Sequence, residues 1–373
     1  MRFAMLVLAV AGWLLPAHGD APPGGGAKVV LVVHGGAGVL TDKEMAREGL
    51  KREQLERGLA RALTAGYAAL QRPESTPVDA VEAAIRVLED DALFNAGRGA
   101  VLTHDGRAEL DASIMDGRTT RRPGEKGEGK RDPRKRAGAV AGVWHVKNPI
   151  SAARAVMEMP GSRHVLLTGA GAEDVVLAAD VMKRYRIEKV SNTYFWTDRR
   201  VREIRQAVAA ERSEKAARGP VRRDQRFGTV GAVACKSGAV AAGTSTGGLT
   251  NKLPGRVGDS PLIGAGTYAD DRACGVSCTG TGEVFIRHAV AHDVVARMLY
   301  KRLPVDRAVR ETIDELPDED EGVGGLIALD RDGRPAFGIA PRGLGMYRGY
   351  VTEKGELFVA VFKEPFRRVK VAE

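Results

Sequence analysis

Thr229 is the residue whose setting most suggests chemistry in this 373-residue chain. It stands in the run RFGTVGAV, residues 226–233. A polar, Arg-rich stretch precedes it and an apolar, glycine-rich one follows. A threonine hydroxyl is a poor nucleophile unless a base accepts its proton. Histidine spacing places no imidazole beside Thr229 in sequence, although a distant one is free to approach in space. A chain cut before Thr229 would supply a base of its own. The new α-amine has an intrinsic pKa of about 7.7–8.0, near working pH. Gly228 suits a crowded peptide bond, the apolar strand after it would hold the nucleophile rigidly, and the basic stretch before it could move aside once cut.

Two further groupings fit that chemistry. Arg256 and Asp259, in GRVGD, offer a planar fork for a carboxylate and an opposite charge for an ammonium, which together suit an amino-acid zwitterion. In CTGTG, Thr279 offers a hydroxyl, and Gly280 and Gly282 let backbone N–H groups come close to a ligand. Each has a plainer reading when taken alone. GTVG is an ordinary strand fragment, and Arg256 with Asp259 is an ordinary surface ion pair. TGTGE before a helix resembles a phosphate-binding turn but lacks the following lysine. HGGAG, residues 34–38, resembles an esterase oxyanion loop, yet the chain holds no G-x-S-x-G elbow, which leaves His34 a structural reading.

The elements that must position these residues are legible from pattern. KVVLVVHGGAGVL reads as a buried strand and tight turn, and residues 42–71 and 78–91 as helices. FNAGRGAVLTHDGRAELDASIMDG alternates like a hairpin around HDGR. AGAVAGVWHV reads as a strand, NPISAARAVMEM as a helix, and HVLLTGAGAEDVVLAADVMKRY as strand, turn and helix. GTVGAVACKSGAVAAGTSTGG reads as two strands around KSG. CGVSCTGTGEVFIRHAVAHDVVARMLYKRL reads as strand, turn and one long helix, GGLIALDRDGRPAFGIA as a hairpin, and ELFVAVFKE as a last strand. Sheets packed on sheets with helices outside, an α+β layered sandwich, satisfy this order.

Composition narrows the function classes. The length fits one large domain or two ordinary ones. MRFAMLVLAVAGWLLPAHGD has the layout of a cleavable secretory signal over residues 1–19, so a periplasmic or secreted protein is expected, with no membrane association after cleavage. The basic excess is local. Residues 118–137 hold nine Lys/Arg against three Asp/Glu, and residues 198–226 hold ten against five. Both read as flexible solvated segments, and with few aromatics and no recognition motif they do not point to nucleic acid. Cys235, Cys274 and Cys278 are too few for a disulfide framework. On an extended strand Cys274 and Cys278 would lie roughly 13 Å apart, so buried free thiols are expected.

Longer strings carry a resemblance. GTVGAVA, TSTGGLTNKLPGRVGDSPLIGAGTYA and SCTGTGE resemble the plant-type asparaginase/isoaspartyl peptidase family of N-terminal nucleophile hydrolases. VVHGGAG, LFNAGRGAVLTHDGRAELDASIMDG and GAVAGVWHVKNPISAARAVME resemble it as well, so the likeness spans about residues 29–350. It implies an αββα four-layer sandwich made of an alpha subunit, residues 20–228, and a beta subunit, residues 229–373, released by self-cleavage between Gly228 and Thr229. Both pieces would form one domain, assembling as an (alpha-beta)2 heterotetramer. It implies hydrolysis of the side-chain amide of asparagine and of β-aspartyl dipeptides, releasing L-aspartate. Thr229 would be the nucleophile, Thr246 its support and Asn95 a close neighbour. Thr279 and Gly280 would be oxyanion donors beside Gly282, and Arg256 and Asp259 would grip the substrate. No catalytic cofactor is implied. A structural sodium ion would sit on the backbone carbonyls of Leu88, Glu89, Asp91, Phe94, Ala96 and Arg98.

The chain departs from that pattern in its leader, in the insertion RRPGEKGEGKRDPRKR, in APRGLGMY, and in the tail EPFRRVKVAE. Two alternatives stand beside this reading. A glycosylasparaginase shares the fold but typically carries Asp where Gly228 stands. A non-catalytic basic exported protein would remain one chain and bind polyanions in a salt-dependent way.

Overall fold

The computed structural model describes residues 27–37, 42–118, 136–161, 163–216, 228–317, 324–341, 343 and 345–370. The expected leader, most of the basic insertion and residues 217–227 of the basic linker lie outside the described residues.

In chain order the N-terminal half forms β1 (Val29–Ala37), α1 (Asp42–Arg47), α2 (Arg52–Leu70), α3 (Pro77–Asp90), β2 (Leu110–Asp116), β3 (Arg136–Val143), α4 (Pro149–Glu158), β4 (Leu166–Thr168), α5 (Gly169–Val176), α6 (Ala179–Tyr185) and α7 (Asp198–Ala216). The C-terminal half forms β5 (Val230–Lys236), β6 (Ala239–Thr246), β7 (Thr267–Ala269), β8 (Cys274–Gly280), α8 (Gly282–His288), α9 (Val290–Tyr300), α10 (Val305–Asp314), β9 (Gly324–Asp330), β10 (Pro335–Ile339), β11 (Met346–Thr352), β12 (Leu357–Ala360) and β13 (Arg367–Val369).

Two-residue alternation builds the layers. Along β5, Val230, Ala232 and Ala234 face the helices, while Val233 and Cys235 face a second sheet. Along β9, Leu326 and Ala328 face α9 and α10, while Ile327 and Leu329 face back between the sheets. Helices α2, α3 and α4 therefore cover a nine-stranded sheet ordered β13-β12-β11-β1-β5-β6-β2-β3-β4, and α9 and α10 cover a four-stranded sheet ordered β10-β9-β8-β7. This is the expected α+β four-layer arrangement. All three cysteines are buried and free: Cys274 and Cys278 lie in the helix-facing core of the smaller sheet, and Cys235 lies between the sheets.

Strand β5 lies antiparallel between β1 and β6, with His34 opposite Gly231 and Val230 opposite Ser245. Its hairpin to β6 closes through Ser237 and Gly238, both at positive φ, as a two-residue turn demands. Residues before Thr229 supply β1, β2, β3 and β4, and residues after it supply the other strands of the same sheet, interleaved with them. Neither segment completes that sheet alone.

Several elements differ from the pattern reading. Strand β1 runs on through His34-Gly35-Gly36-Ala37 instead of turning, because β11 continues to pair with it as far as Met346. The stretch before β2 is not a hairpin arm. The expected turn at HDGR does close, with Thr103 N–H donating to Arg107 O, but the backbone before it is bonded elsewhere: Val101 N–H donates to the Asn95 side chain, His104 N–H to Lys252 O, and Asn251 N–H to Leu102 O. The helix after β8 breaks at Ala289, which adopts a left-handed φ of 47°. The pattern reading lacks strands β7, β11 and β13; the tail forms β13 against β12 and packs Phe366 on Phe337 and Tyr350.

The largest correction concerns the basic linker. Through residue 216 it is the 19-residue helix α7, not a flexible segment. Its Ala, Arg, Glu and Gln residues are strong helix formers. Arg200 is buried, its Nε donating to Gly99 O at 2.6 Å and its Nη1 to Glu203 at 2.7 Å. Arg199 donates to Leu93 O at 3.0 Å, and Glu211 accepts from Asn251 Nδ2 at 3.0 Å. These arginine contacts add to a short apolar stripe, Val201, Ile204 and Val208, that packs α7 on the main core. Replacing Arg200 by Ala is expected to cost about 3 kcal/mol of stability, as loss of a buried charge partner does. A fall in the urea midpoint at constant m-value would register it.

Candidate functional site

Helix α3 delivers the first part of the site. The Asp79 carboxylate accepts the Thr76 N–H at 2.6 Å and Pro77 opens the first turn, so the helix start is sharply set. Val78, Val81, Ile85 and Leu88 then recur at helical spacing into the core. The loop after α3 carries Asn95 back over the N-terminal end of β5. Asn95 Nδ2 donates to Gly228 O at 2.7 Å and to Gly248 O at 2.8 Å, while its Oδ1 accepts the Val101 N–H. Phe94 anchors the loop, its ring occupying the space where side chains at Gly35 and Gly58 would stand.

Thr229 is buried, and its Oγ1 lies 2.8 Å from Gly228 O and 3.2 Å from Thr246 Oγ1. Thr246 Oγ1 in turn lies 3.1 Å from Gly228 O and accepts the Gly248 N–H at 2.9 Å. The Gly228 carbonyl oxygen therefore has an amide and two hydroxyls around it. Gly36 presses on the same peptide: at φ 118°, a Cβ there would stand 3.0 Å from Gly228 Cα and 3.2 Å from Thr229 N. The next residue links this point to the smaller sheet, where Ala37 N–H donates to Thr279 Oγ1 at 3.1 Å. That bond uses an acceptor lone pair of Thr279 and leaves its proton available to a ligand. Gly280 ends β8 beside it.

Arg256 and Asp259 do not form the surface pair that their spacing allows. Asp259 is buried and its Oδ2 has no hydrogen-bond partner, whereas Arg256 forks onto Glu283, Nε to Oε1 at 2.9 Å and Nη2 to Oε2 at 2.8 Å. Both still border one space. A Cβ on Gly282 would stand 2.9 Å from Arg256 Nη2 and 3.0 Å from Asp259 Oδ1, so glycine keeps that space open. Burial pushes the Asp259 carboxyl up to about 6, against the opposing pull of Arg256.

Behind the site lie polar groups that spacing did not reveal. Lys252 is buried and donates to Glu109 O at 2.9 Å, while Glu109 Oε2 accepts the Gly255 N–H at 2.8 Å. The segment bearing Arg256 is thereby pinned to β2. Burial lowers the Lys252 pKa, opposed by Asp111 and Glu109. His34 Nε2 lies 2.9 Å from Ser277 Oγ, which lies 2.7 Å from Thr244 Oγ1; Thr267 and Ser113 continue this hydroxyl chain. Burial drops the His34 pKa to about 3 despite the neighbouring Thr229 backbone, so the ring is neutral at working pH. A distant histidine thus does reach β5, as a neutral structural group.

The carbonyls expected to hold sodium run from the last turn of α3, at Leu88 and Glu89, into the loop around Asn95. Gly97 and Gly99 sit so close that a Cβ on them would lie 2.4 Å from Glu89 O and 2.1 Å from Phe94 O. The side chains of Asp91 and Arg98 are engaged elsewhere, with Arg61 and over the Tyr194 ring. The Glu89 carboxyl accepts from Ser245 and Ile150, and burial pushes it up to about 8. What this loop offers a cation is neutral backbone oxygen. Such a set fits a hard monovalent ion better than a divalent one, which calls for carboxylates. Among the described residues no group of three or more His, Cys, Asp or Glu could hold a metal.

A family model described as Asparaginase matches residues 27–360. An isoaspartyl peptidase from Salmonella typhimurium is 43% identical over 326 residues, covering 87% of this chain and 95% of that protein. An isoaspartyl peptidase from Escherichia coli is 43% identical over 330 residues, covering 87% and 92%. A plant-type L-asparaginase from Pyrococcus abyssi is 40% identical over 324 residues, covering 83% and 92%.

An ammonium docking on Asp259 requires the carboxylate, which is present above its pKa of about 6 and lost as pH falls through it. L-Aspartate affinity, followed by isothermal titration calorimetry, is expected to weaken about tenfold per pH unit below that value. Asp259→Asn should bind weakly and without this dependence.

Proposed function

The chain belongs to the asparaginase family, and from that premise we propose that it hydrolyses the side-chain amide of L-asparagine and of β-aspartyl dipeptides after cutting itself before Thr229. The observation that carries this reading is the crowding of donors on Gly228 O: Asn95 Nδ2 at 2.7 Å, with the hydroxyls of Thr229 and Thr246 at 2.8 and 3.1 Å. This arrangement polarises the peptide bond that must break and places the attacking oxygen beside it.

In the first reaction Thr229 Oγ1 adds to the Gly228 carbonyl carbon, and Asn95 and Thr246 hold the developing oxyanion. The Thr229 nitrogen leaves with a proton, giving an ester between Gly228 and the Thr229 oxygen. Water hydrolyses that ester to a Gly228 carboxylate and a free Thr229 with an α-amine. In the second reaction this amine takes the Thr229 hydroxyl proton, and the oxygen attacks the substrate's side-chain carbonyl. Thr279 Oγ1 and the Gly280 N–H stabilise the oxyanion, each such donor being worth about 3 kcal/mol of barrier. Ammonia or an amine departs with the proton, and water releases L-aspartate. Arg256 takes the substrate's α-carboxylate and Asp259 its α-ammonium, so asparagine and β-aspartyl dipeptides present the same bond to Thr229.

Sodium on the Leu88, Glu89, Asp91, Phe94, Ala96 and Arg98 carbonyls would quench their mutual repulsion when bound. The chain's own part is to hold Asn95 by the Phe94 anchor and the α7 arginines. Assembly of two processed pairs and export ahead of maturation complete the reading. The apolar run near the N-terminus supports export.

Purified wild-type protein should resolve by intact mass into two pieces, one beginning Thr229-Val230-Gly231, and should release ammonia from asparagine. Thr229→Ala should stay uncut and inactive; a fully active Thr229→Ala enzyme would end the proposal. Loss of the Asn95 donor in Asn95→Ala should slow self-cleavage about 100-fold or more, as removal of an oxyanion donor does. Gel densitometry over time measures this.

A further inference from the structure

We infer that Glu283 is a positioning residue that turns the Arg256 guanidinium end-on towards the substrate's α-carboxylate and keeps it off Asp259. The inference rests on the activity proposed above. A guanidinium carries five N–H groups. Glu283 takes the side-on edge, one proton on Nε and one on Nη2, at 2.9 and 2.8 Å. The end-on edge remains, with one proton on Nη1 and one on Nη2, and that edge is also a bidentate carboxylate site.

The space around that edge is kept clear. Side chains at Gly258 and Gly282 would stand 2.9 Å from Nη1 and Nη2, and one at Gly248 would stand 3.4 Å from Nη1. The position beside Gly282 also adjoins Asp259 Oδ1, so partners for both charges on one α-carbon meet there.

Asp259 shows why the guanidinium needs a holder. It is buried, its Oδ2 has no partner, and it feels the charge of Arg256. A cation swinging onto it would satisfy both groups and remove both substrate anchors together. Glu283, at the start of α8, supplies the counter-charge from the opposite edge. Burial pulls the Glu283 pKa up, but the bond and charge of Arg256 outweigh it, so the group stays ionised at working pH. Asp259 is left for an ammonium that only a ligand brings.

The test compares processed wild type, Glu283→Ala and Glu283→Gln on asparagine and on β-alaninamide, which is asparagine without its α-carboxylate. Glu283→Ala should raise KM for asparagine about tenfold or more, the worth of a charge-assisted hydrogen bond, with a much smaller change in kcat. The preference for asparagine over β-alaninamide should narrow by a similar factor. Glu283→Gln keeps an acceptor for Nε–H and should recover part of the loss. A lower KM in Glu283→Ala would overturn the inference by making Glu283 a competitor of the substrate. Equal losses on both compounds would overturn it by making the carboxyl a general structural support. Wild-type protein inert on asparagine and on β-aspartyl dipeptides would instead fail the activity reading, and this inference with it.

Discussion

Strand β5 is hydrogen-bonded on both flanks, by β1 and by β6, and the rest of the site depends on that double pairing. A strand held on one edge could shift register and carry every side chain to the opposite face. Held on both, it delivers Thr229 at one fixed place, where Asn95, Thr246 and Gly36 converge on the preceding peptide. The same pairing explains how the proposed cut at this point would be survivable. β1 comes from before Thr229, and β5, β6 and β11 come from after it, so the sheet interleaves the two segments. Breaking one peptide bond removes no pairing between them.

Electrostatic preparation is the second theme. Asp111, Asp259 and Lys252 are buried around one end of the site. Burying charge is costly unless partners are near. Glu109 and Asp111 attend Lys252, and Glu283 attends Arg256. Asp259 lacks a partner for one oxygen, and its raised pKa records that cost. Fixed charges and dipoles that are unsatisfied without substrate need no reorganisation when it binds. The proposed oxyanion donors follow the same logic, since Thr279 is oriented by the Ala37 N–H before any ligand arrives.

Local pattern revealed much of this, unevenly. The β5–β6 hairpin was legible because KSG breaks two alternating apolar runs, and α3 because apolar residues recur at helical spacing from Val78 to Leu88. Helix α7 was misread because its three core-facing residues, Val201, Ile204 and Val208, are sparse among charges, and arginines share the docking with their heads on carbonyls of a loop about 100 residues earlier. The stretch before β2 was misread because its apolar alternation mimics a strand while its N–H groups bond to Asn95 and Lys252. Within the site, Thr229, Thr246, Arg256, Asp259, Thr279 and Asn95 stood out through motif strings. Glu283 followed TGTG in plain view, but only the question of what balances Arg256 would have singled it out.

By itself the sequence determined which groups are present and which neighbours they have along the chain. It placed a threonine at a sharp change of composition, a guanidinium three residues from a carboxylate, and glycines wherever backbone must approach. It also determined most of the strands and helices, because their hydrogen bonds and buried faces repeat at short intervals and leave a period in the residues. Tertiary structure alone decided the partnerships: Asn95 reaching Gly228 across 133 positions, β1 lying between β11 and β5, and Arg256 choosing Glu283 over Asp259. Each is a single long-range contact, closed by the folding of everything between its ends, and a contact made once leaves no period to read.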